Sequence, residues 1–229
     1  MKTQLLVAAA GMGLRLGSQG PKGLVDLAGK PMLVRTLERF SGLGLTAGGL
    51  IVVPQGREGQ FQELLAASFP GTPFTLVAGG RERQESVWNG LARLDDDTEI
   101  VVIHDAARPF VAAESVQASI DAAAEWGAAT VAIPAVDTIL VGDSGGFLAD
   151  TPDREALWAC QTPQTFRVDC IRAAHEHARR HGFLGTDDAS LVRRAGGKVK
   201  LVMGTPLNLK VTTPGDLALA AAIVKGALL

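Results

Sequence analysis

Short apolar runs alternate with helical patterns along most of this 229-residue chain, and that alternation restricts the fold more than any other feature. Residues 4–10, apolar from Leu5 onward, end at Gly11, residues 50–53 end at Pro54, and residues 74–77 lead into Gly79-Gly80. Residues 100–103 and 129–133 repeat the pattern. Runs of this length between breakers read as strands buried on both faces. Between them, Met32, Leu33, Leu37 and Phe40 recur at helical spacing behind Pro31, which suits a first helical turn. Residues 60–69, 85–94 and 114–126 read as further helices. The order predicts a doubly wound, mostly parallel α/β sheet with helices on both faces. Such sheets bind ligands beyond the carboxyl ends of their strands.

From residue 137 the alternation breaks. Residues 137–141 and 146–149 flank Gly142-Asp143-Ser144-Gly145, which reads as a β-hairpin with a glycine-rich turn. The arm, about residues 137–156, has too few apolar residues for a core of its own. An isolated hairpin is marginal in water, so it is expected to pack on something else, a second subunit being one candidate. The pattern resumes with a helix at 169–180, strands at 198–202 and 207–211, and a helix from Pro214. No repeat or linker divides the chain, which predicts a single domain over residues 1–229 with a protruding arm.

Charge and composition exclude several partners. There are 22 Lys+Arg against 24 Asp+Glu, a net charge of -2. A protein that coats nucleic acid by bulk charge is usually strongly basic, and an acidic tail or disordered segment strongly acidic. Tyrosine is absent, which makes a base-stacking surface unexpected. The two cysteines, Cys160 and Cys170, provide no disulfide framework and suit free thiols in a reducing cytoplasm. The apolar run at residues 5–10 is too short for a signal sequence with its flanks. No apolar stretch reaches the roughly 18 residues of a bilayer span.

The chemistry-bearing residues follow predicted strands. Gly11-Met12-Gly13-Leu14-Arg15-Leu16-Gly17 comes directly after the first, and glycines there let backbone N–H groups approach a phosphate. Leu16 takes the third glycine position of a dinucleotide fingerprint, and neither Lys22-Gly23 nor Lys30-Pro31 makes a Walker loop. What remains is a glycine-rich loop carrying Arg15 and Lys22, where binding residues concentrate; a flexible loop with solvated charges has the same sequence. After the fourth strand, His104-Asp105-Ala106-Ala107-Arg108-Pro109 puts a carboxylate where a metal–phosphate group would sit and offers an arginine fork to a phosphate. Asp105 as a helix cap or as the partner of Arg108 is the competing reading. His104 reads as a hydrogen-bonded structural residue, because nothing nearby has nucleophile–base spacing. Gly79-Gly80 lets a flat base or ribose lie against the backbone, with Ser86 near a base edge; a plain turn fits equally well.

Other residues carry less. His175, His177 and His181 share one predicted helix, but no third zinc ligand is evident and an exposed polar face is expected. Cys160 and Cys170 lack metal-ligand spacing. Trp88, Trp126 and Trp158 read as core or interface aromatics.

The segment from Ala8 to Gly17, followed by Pro21-Lys22, resembles the signature loop of sugar-phosphate nucleotidyltransferases. His104 to Pro109 narrows this, with Gly79-Gly80, Arg83 and Ser86-Val87 upstream. Together with Asp137-Thr138, Thr162-Pro163-Gln164, Thr186-Asp187 and Leu209-Lys210-Val211-Thr212, the chain resembles the 2-C-methyl-D-erythritol 4-phosphate cytidylyltransferase family, in order over nearly its whole length. The resemblance implies a Rossmann-like nucleotidyltransferase fold, a homodimer joined by crossing arms, and a Mg2+-assisted reaction. In that reaction CTP and methylerythritol phosphate give a CDP-alcohol and pyrophosphate. By position it implies catalytic roles for Arg15, Lys22 and Lys210, with Lys210 at the α-phosphate. CTP would be held by Ala9, Ala10, Gly11, Gly13, Gly80 and Ser86, and by Asp105, the candidate metal ligand. Arg108, Thr138, Arg154 and Thr162 would bind the phosphoalcohol, some from the partner's arm. Gly23 stands where the family commonly has Gln, and Arg81 where some relatives carry Asp.

Two alternatives share parts of this pattern. Ribitol-5-phosphate cytidylyltransferases use the same chemistry, although they tend to carry Gly-Val where this chain has Ala106-Ala107. A noncatalytic nucleotide-binding module on the same fold is the other, since fold alone does not give function.

Overall fold

Leu5 and Val7 belong to one face of a sheet and Leu6 to the other, and all three are fully buried. A strand sealed on both sides needs helices above and below it. The computed structural model describes residues 1–17 and 20–226. In chain order its elements are β1 (Thr3–Ala8), β2 (Asp26–Leu27), β3 (Lys30–Pro31), α1 (Met32–Ser41), β4 (Gly49–Val53), α2 (Glu58–Ser68), β5 (Phe74–Ala78), α3 (Arg83–Leu91), β6 (Ile100–Asp105), α4 (Ala113–Trp126), β7 (Ala128–Pro134), β8 (Val141–Gly142), β9 (Leu148–Asp150), β10 (Trp158–Arg167), α5 (Val168–Arg180), α6 (Asp188–Arg194), β11 (Lys200–Met203) and α7 (Pro214–Lys225).

Seven strands form the central sheet in the order β11-β7-β10-β6-β1-β4-β5. Every neighbouring pair is parallel except those of β10, which runs antiparallel between β6 and β7. One face packs Leu5, Val7, Ile51 and Val102 against Leu33, Leu37, Phe40, Phe61 and Val116 of α1, α2 and α4. The other packs Leu6, Val52 and Ile103 against Val87, Leu91, Ile171 and Leu191 of α3, α5 and α6. At about 1.5–3 kcal/mol for each fully buried large apolar side chain, these faces are the main source of stability. Helix α7 closes a third cluster with Leu16, Leu27, Met32 and Phe110. Among the described residues no helix is long and apolar enough to cross a membrane.

The doubly wound, mostly parallel sheet agrees with the sequence reading, and several elements correct it. Strand β10 and helix α6 are additions to the expected order. The strand expected at 207–211 is absent; that segment is irregular, tied down by the Val211 N–H to Ala107 O at 2.9 Å. The arm's hairpin is shorter than expected, because β8 and β9 have two and three residues. Pro31 precedes α1 in an extended conformation rather than inside its first turn. Strand β10 shifts register between Cys160 and Gln164: its first residues pair only with β7, its last with both neighbours.

Candidate active site

The carboxyl ends of β1, β5 and β6 open into a cleft of about 450 Å3. The first residues after β1 are shaped rather than loose. Gly13 adopts a φ of 65° and starts a single 3-10 turn, Leu14–Leu16. Leu16 is buried against Leu27 and α7, while the Lys22 N–H donates to Gly11 O at 2.8 Å and draws the loop back onto the strand end. Arg15 and Lys22 therefore line the same cleft. Past β5, a Cβ on Gly79 would lie 2.6 Å from the Ala10 Cβ, and one on Gly80 would collide with Glu85. The Gly80 N–H donates to Ser86 Oγ at 3.0 Å and the Arg81 N–H to Glu85 Oε2 at 2.9 Å, which seats the turn on the start of α3.

Asp105 ends β6 as the electrostatic centre. Its Oδ2 lies 2.6 Å from Lys210 Nζ and its Oδ1 lies 3.3 Å from Arg83 Nε. Burial opposes its ionisation, but Arg83 and Lys210 overcome that and hold the carboxyl well below the usual range. For Lys22, burial and the nearby Lys210 charge bring the ammonium down to about 8. Lys210 reaches the cleft from the irregular segment before α7. That segment is pinned at one end by buried Asn208, whose Nδ2 donates to Thr162 O at 2.8 Å. At the other end Asp216 accepts from the Thr212 and Thr213 N–H groups, each at 2.8 Å, within a capping box.

The cleft gathers Ala9, Ala10, Gly11, Gly13, Arg15, Lys22, Gly80, Ser86, Asp105 and Lys210. Arg108, Thr138, Arg154 and Thr162 are not among its lining residues. Arg108 donates to Asn208 O at 2.7 Å and to Cys160 O at 3.2 Å, bracing the base of the arm. Thr162 sits behind Asp105, its Oγ1 accepting the Asp105 N–H at 3.1 Å and bonding His104 Nδ1 at 3.0 Å. Thr138 is exposed on the arm, and exposed Arg154 donates to Val136 O at 2.9 Å. Arg83 is part of the sequence motif but carries no expected role there; its place between Gly79-Gly80 and Ser86 is the available signal. The side chain of Arg81 is 93% exposed and lies 3.5 Å from Glu85. A side chain at Gly23 would meet Phe61 at 3.3 Å. Neither departure removes a cleft cation.

The histidines divide. His104 is buried as expected, with Nε2 on Arg108 O at 3.0 Å. A carbonyl only accepts, so Nε2 carries the proton and Nδ1 accepts from Thr162. Burial lowers its pKa from 6.5 to about 4. Because the folded value is depressed, this stability is present above about pH 6.5 and is lost as pH falls toward 4. The melting temperature should drop across that window, and a His104→Gln variant should drop less. His175 corrects the expected exposed polar face: it is fully buried, stacked on Trp88 at 5.8 Å. His177 and His181 stack at 4.1 Å, and His181 lies just beyond α5. Trp126 is 53% exposed, which leaves it the interface rather than the core reading.

A family profile described as IspD, 2-C-methyl-D-erythritol 4-phosphate cytidylyltransferase, matches residues 3–226. The chain belongs to this family. A cytidylyltransferase of that name from Geobacillus thermodenitrificans is 45% identical over 224 residues, covering 98% of this chain and 97% of the relative. One from Caldanaerobacter subterraneus subsp. tengcongensis is 43% identical over 221 residues, covering 96% and 97%. The cytidylyltransferase of Thermus thermophilus superposes with a TM-score of 0.82 at 34% identity, covering 98% of this chain and 100% of that one. The 4-diphosphocytidyl-2C-methyl-D-erythritol synthase of Anaerococcus prevotii gives 0.85 at 29% identity, covering 98% of each chain.

Proposed function

We propose that this chain transfers the cytidylyl group of CTP to 2-C-methyl-D-erythritol 4-phosphate, releasing pyrophosphate and 4-diphosphocytidyl-2-C-methyl-D-erythritol. One observation carries the reading beyond family membership. Arg15 and Lys22 from the loop after β1, and Lys210 from far along the chain, line one cleft with Gly80, Ser86 and Asp105. The acceptor's phosphate oxygen attacks the α-phosphorus, so an anion approaches an anion. No covalent nucleophile is required. The chain holds the groups in line and offsets charge growing on the nonbridging oxygens. The backbone of residues 9–13 and the side chains of Arg15 and Lys22 hold the triphosphate, Lys210 faces the α-phosphate, and the turn at Gly80 and Ser86 receives cytosine.

Mg2+ fits this donor set as a metal carried by the nucleotide. Among the described residues no three His, Cys, Asp or Glu side chains converge on a metal site, and Mg2+ commonly takes one or two carboxylates plus substrate phosphates. Asp105 would be its protein ligand, and the bound ion would supply charge neutralisation and help pyrophosphate leave.

For the acceptor we propose Arg108, Thr138, Arg154 and Thr162, working across a homodimer in a reducing cytoplasm. The arm's exposed Leu140, Phe147 and Leu148, between 60% and 74% accessible, would be covered by the partner. Sedimentation should then give twice the 23.9 kDa chain mass. The test of function is pyrophosphate release from CTP with methylerythritol phosphate and ribitol 5-phosphate in parallel. Turnover with the first supports the reading. Preference for ribitol phosphate reassigns the acceptor, and release with neither overturns it. Because free Lys22 titrates near 8, kcat/KM for CTP should fall above about pH 8 as its charge is lost. That limb should move upward in Lys22→Arg.

A further inference from the structure

We propose that Asp188 is a positioning residue for the transfer reaction, acting through Arg83 on Asp105 and Lys210. This deepens the cytidylyl-transfer reading and rests on it. Asp188 is fully buried and lies outside the cleft lining. Its Oδ2 accepts from Arg83 Nη1 at 2.7 Å, whereas Arg83 Nε stands 3.3 Å from Asp105 Oδ1. On the far side, Asp105 Oδ2 holds Lys210 at 2.6 Å. Asp188, Arg83, Asp105 and Lys210 thus form a row of alternating charge. Arg83 is drawn more closely to the hidden carboxylate, which leaves one oxygen of Asp105 to Lys210. With Asp188 neutral, the Arg83 fork is free to take both oxygens of Asp105, and Lys210 loses the contact that aims it.

The placement of Asp188 is itself built. Gln164 of β10, fully buried, accepts the Asp188 and Ala189 N–H groups at 2.9 and 3.1 Å. Its amide donates to Asp187 Oδ2 at 2.7 Å. His175 Nε2 stands 3.4 Å from Asp188 Oδ1, and Trp88 stacks on that imidazole. A buried ion pair gives little net stability over apolar residues of similar volume, so a purely structural account explains this arrangement poorly.

The experiment is a double-mutant cycle on the full chain: wild type, Asp188→Asn, Arg83→Gln and the double variant, each with kcat, KM for CTP and a melting temperature. Asp188→Asn should lower kcat by about 10- to 100-fold, the scale of a misplacement of roughly 1 Å, with a much smaller change in KM. The double variant should be no slower than Arg83→Gln alone. Losses that multiply would overturn the proposal. So would a folded Asp188→Asn with wild-type kcat and only a lower melting temperature. If Asp188→Asn does not fold, Asp188→Glu keeps the charge and moves it by one methylene. Lowered kcat at an unchanged melting temperature there supports the proposal, and wild-type kcat overturns it. An inactive wild type defeats the transfer reading itself; an active wild type with multiplying losses defeats only the role of Asp188.

Discussion

Lys22→Ala is expected to lower kcat by about 10²–10³-fold, the scale of losing one preorganised donor, in a chain that melts close to wild type. The residue is half-buried in the cleft, and its ammonium lies in no ion pair among the described residues. Its positive charge is therefore unspent until substrate arrives. A cation about 4 Å from a developing negative charge contributes on the order of 4 kcal/mol at an effective dielectric of 20, and each 1.36 kcal/mol is about tenfold in rate. Asp105 and Lys210 remain paired in the variant, so the rest of the cleft is not rearranged. Single-turnover measurement of pyrophosphate release separates this loss from slow product departure. Near-wild-type turnover would remove Lys22 from the mechanism.

Arg154→Ala should raise KM for the phosphoalcohol by about 10- to 100-fold, the equivalent of a charge-assisted hydrogen bond worth about 1.5–3 kcal/mol, and leave KM for CTP almost unchanged. Arg154 stands in a 3-10 turn (Arg154–Ala156) at the base of the arm and is anchored through Val136 O. It is not among the residues that line the cleft, so its removal takes no contact from a nucleotide bound there. Mixed dimers sharpen the test. If the arm serves the partner's cleft, a dimer of Arg154→Ala with Lys22→Ala keeps one intact site in two, and activity recovers to about half. Equal effects on both substrates would argue against a substrate-phosphate role.

Much of the cleft is legible in the sequence because Gly11, Gly13, Arg15, Gly80 and Asp105 lie at or just past the ends of strands, whereas Lys210 comes from the irregular segment before α7 and is marked by the family resemblance alone. Each of β1, β4 and β6 contains an uninterrupted apolar run (Leu5–Ala8, Leu50–Val53 and Ile100–Ile103), since the middle of a parallel strand covered on both faces has no polar side. The wall behind the cleft is hidden for the opposite reason. Strand β10 buries Gln161, Thr162, Gln164 and Thr165, so its sequence reads as a polar loop. Those side chains are tolerated inside because nearly every one finds a specific partner, such as Asn208 Nδ2 on Gln161 Oε1 at 3.1 Å and Ser119 with Thr165 at 2.7 Å. Helix α6 has seven residues, too few for a periodic signal. The apolar residues at 207–211 look like a strand, yet their partners are β6-side loops and α7 rather than a ladder. Spacing alone does not separate His175 from His177. The burial of His175 depends on Trp88 and Asp188, which come from other helices.

The register shift in β10 has an engineering consequence. Side chains alternate faces along a strand, so one inserted residue inverts everything on the affected side of the insertion. Between Gln164 and Arg167, where β10 is hydrogen-bonded to β6 and β7, an added residue would swing either Phe166 out of the core or Gln164 away from α6, according to which side of the insertion keeps its register. Before Cys160 the strand has only β7 beside it, and the chain leads out into the exposed arm. Length added there is absorbed as a longer reach. The irregularity thus acts as an expansion joint, which makes arm span adjustable while the wall behind the cleft keeps its alignment.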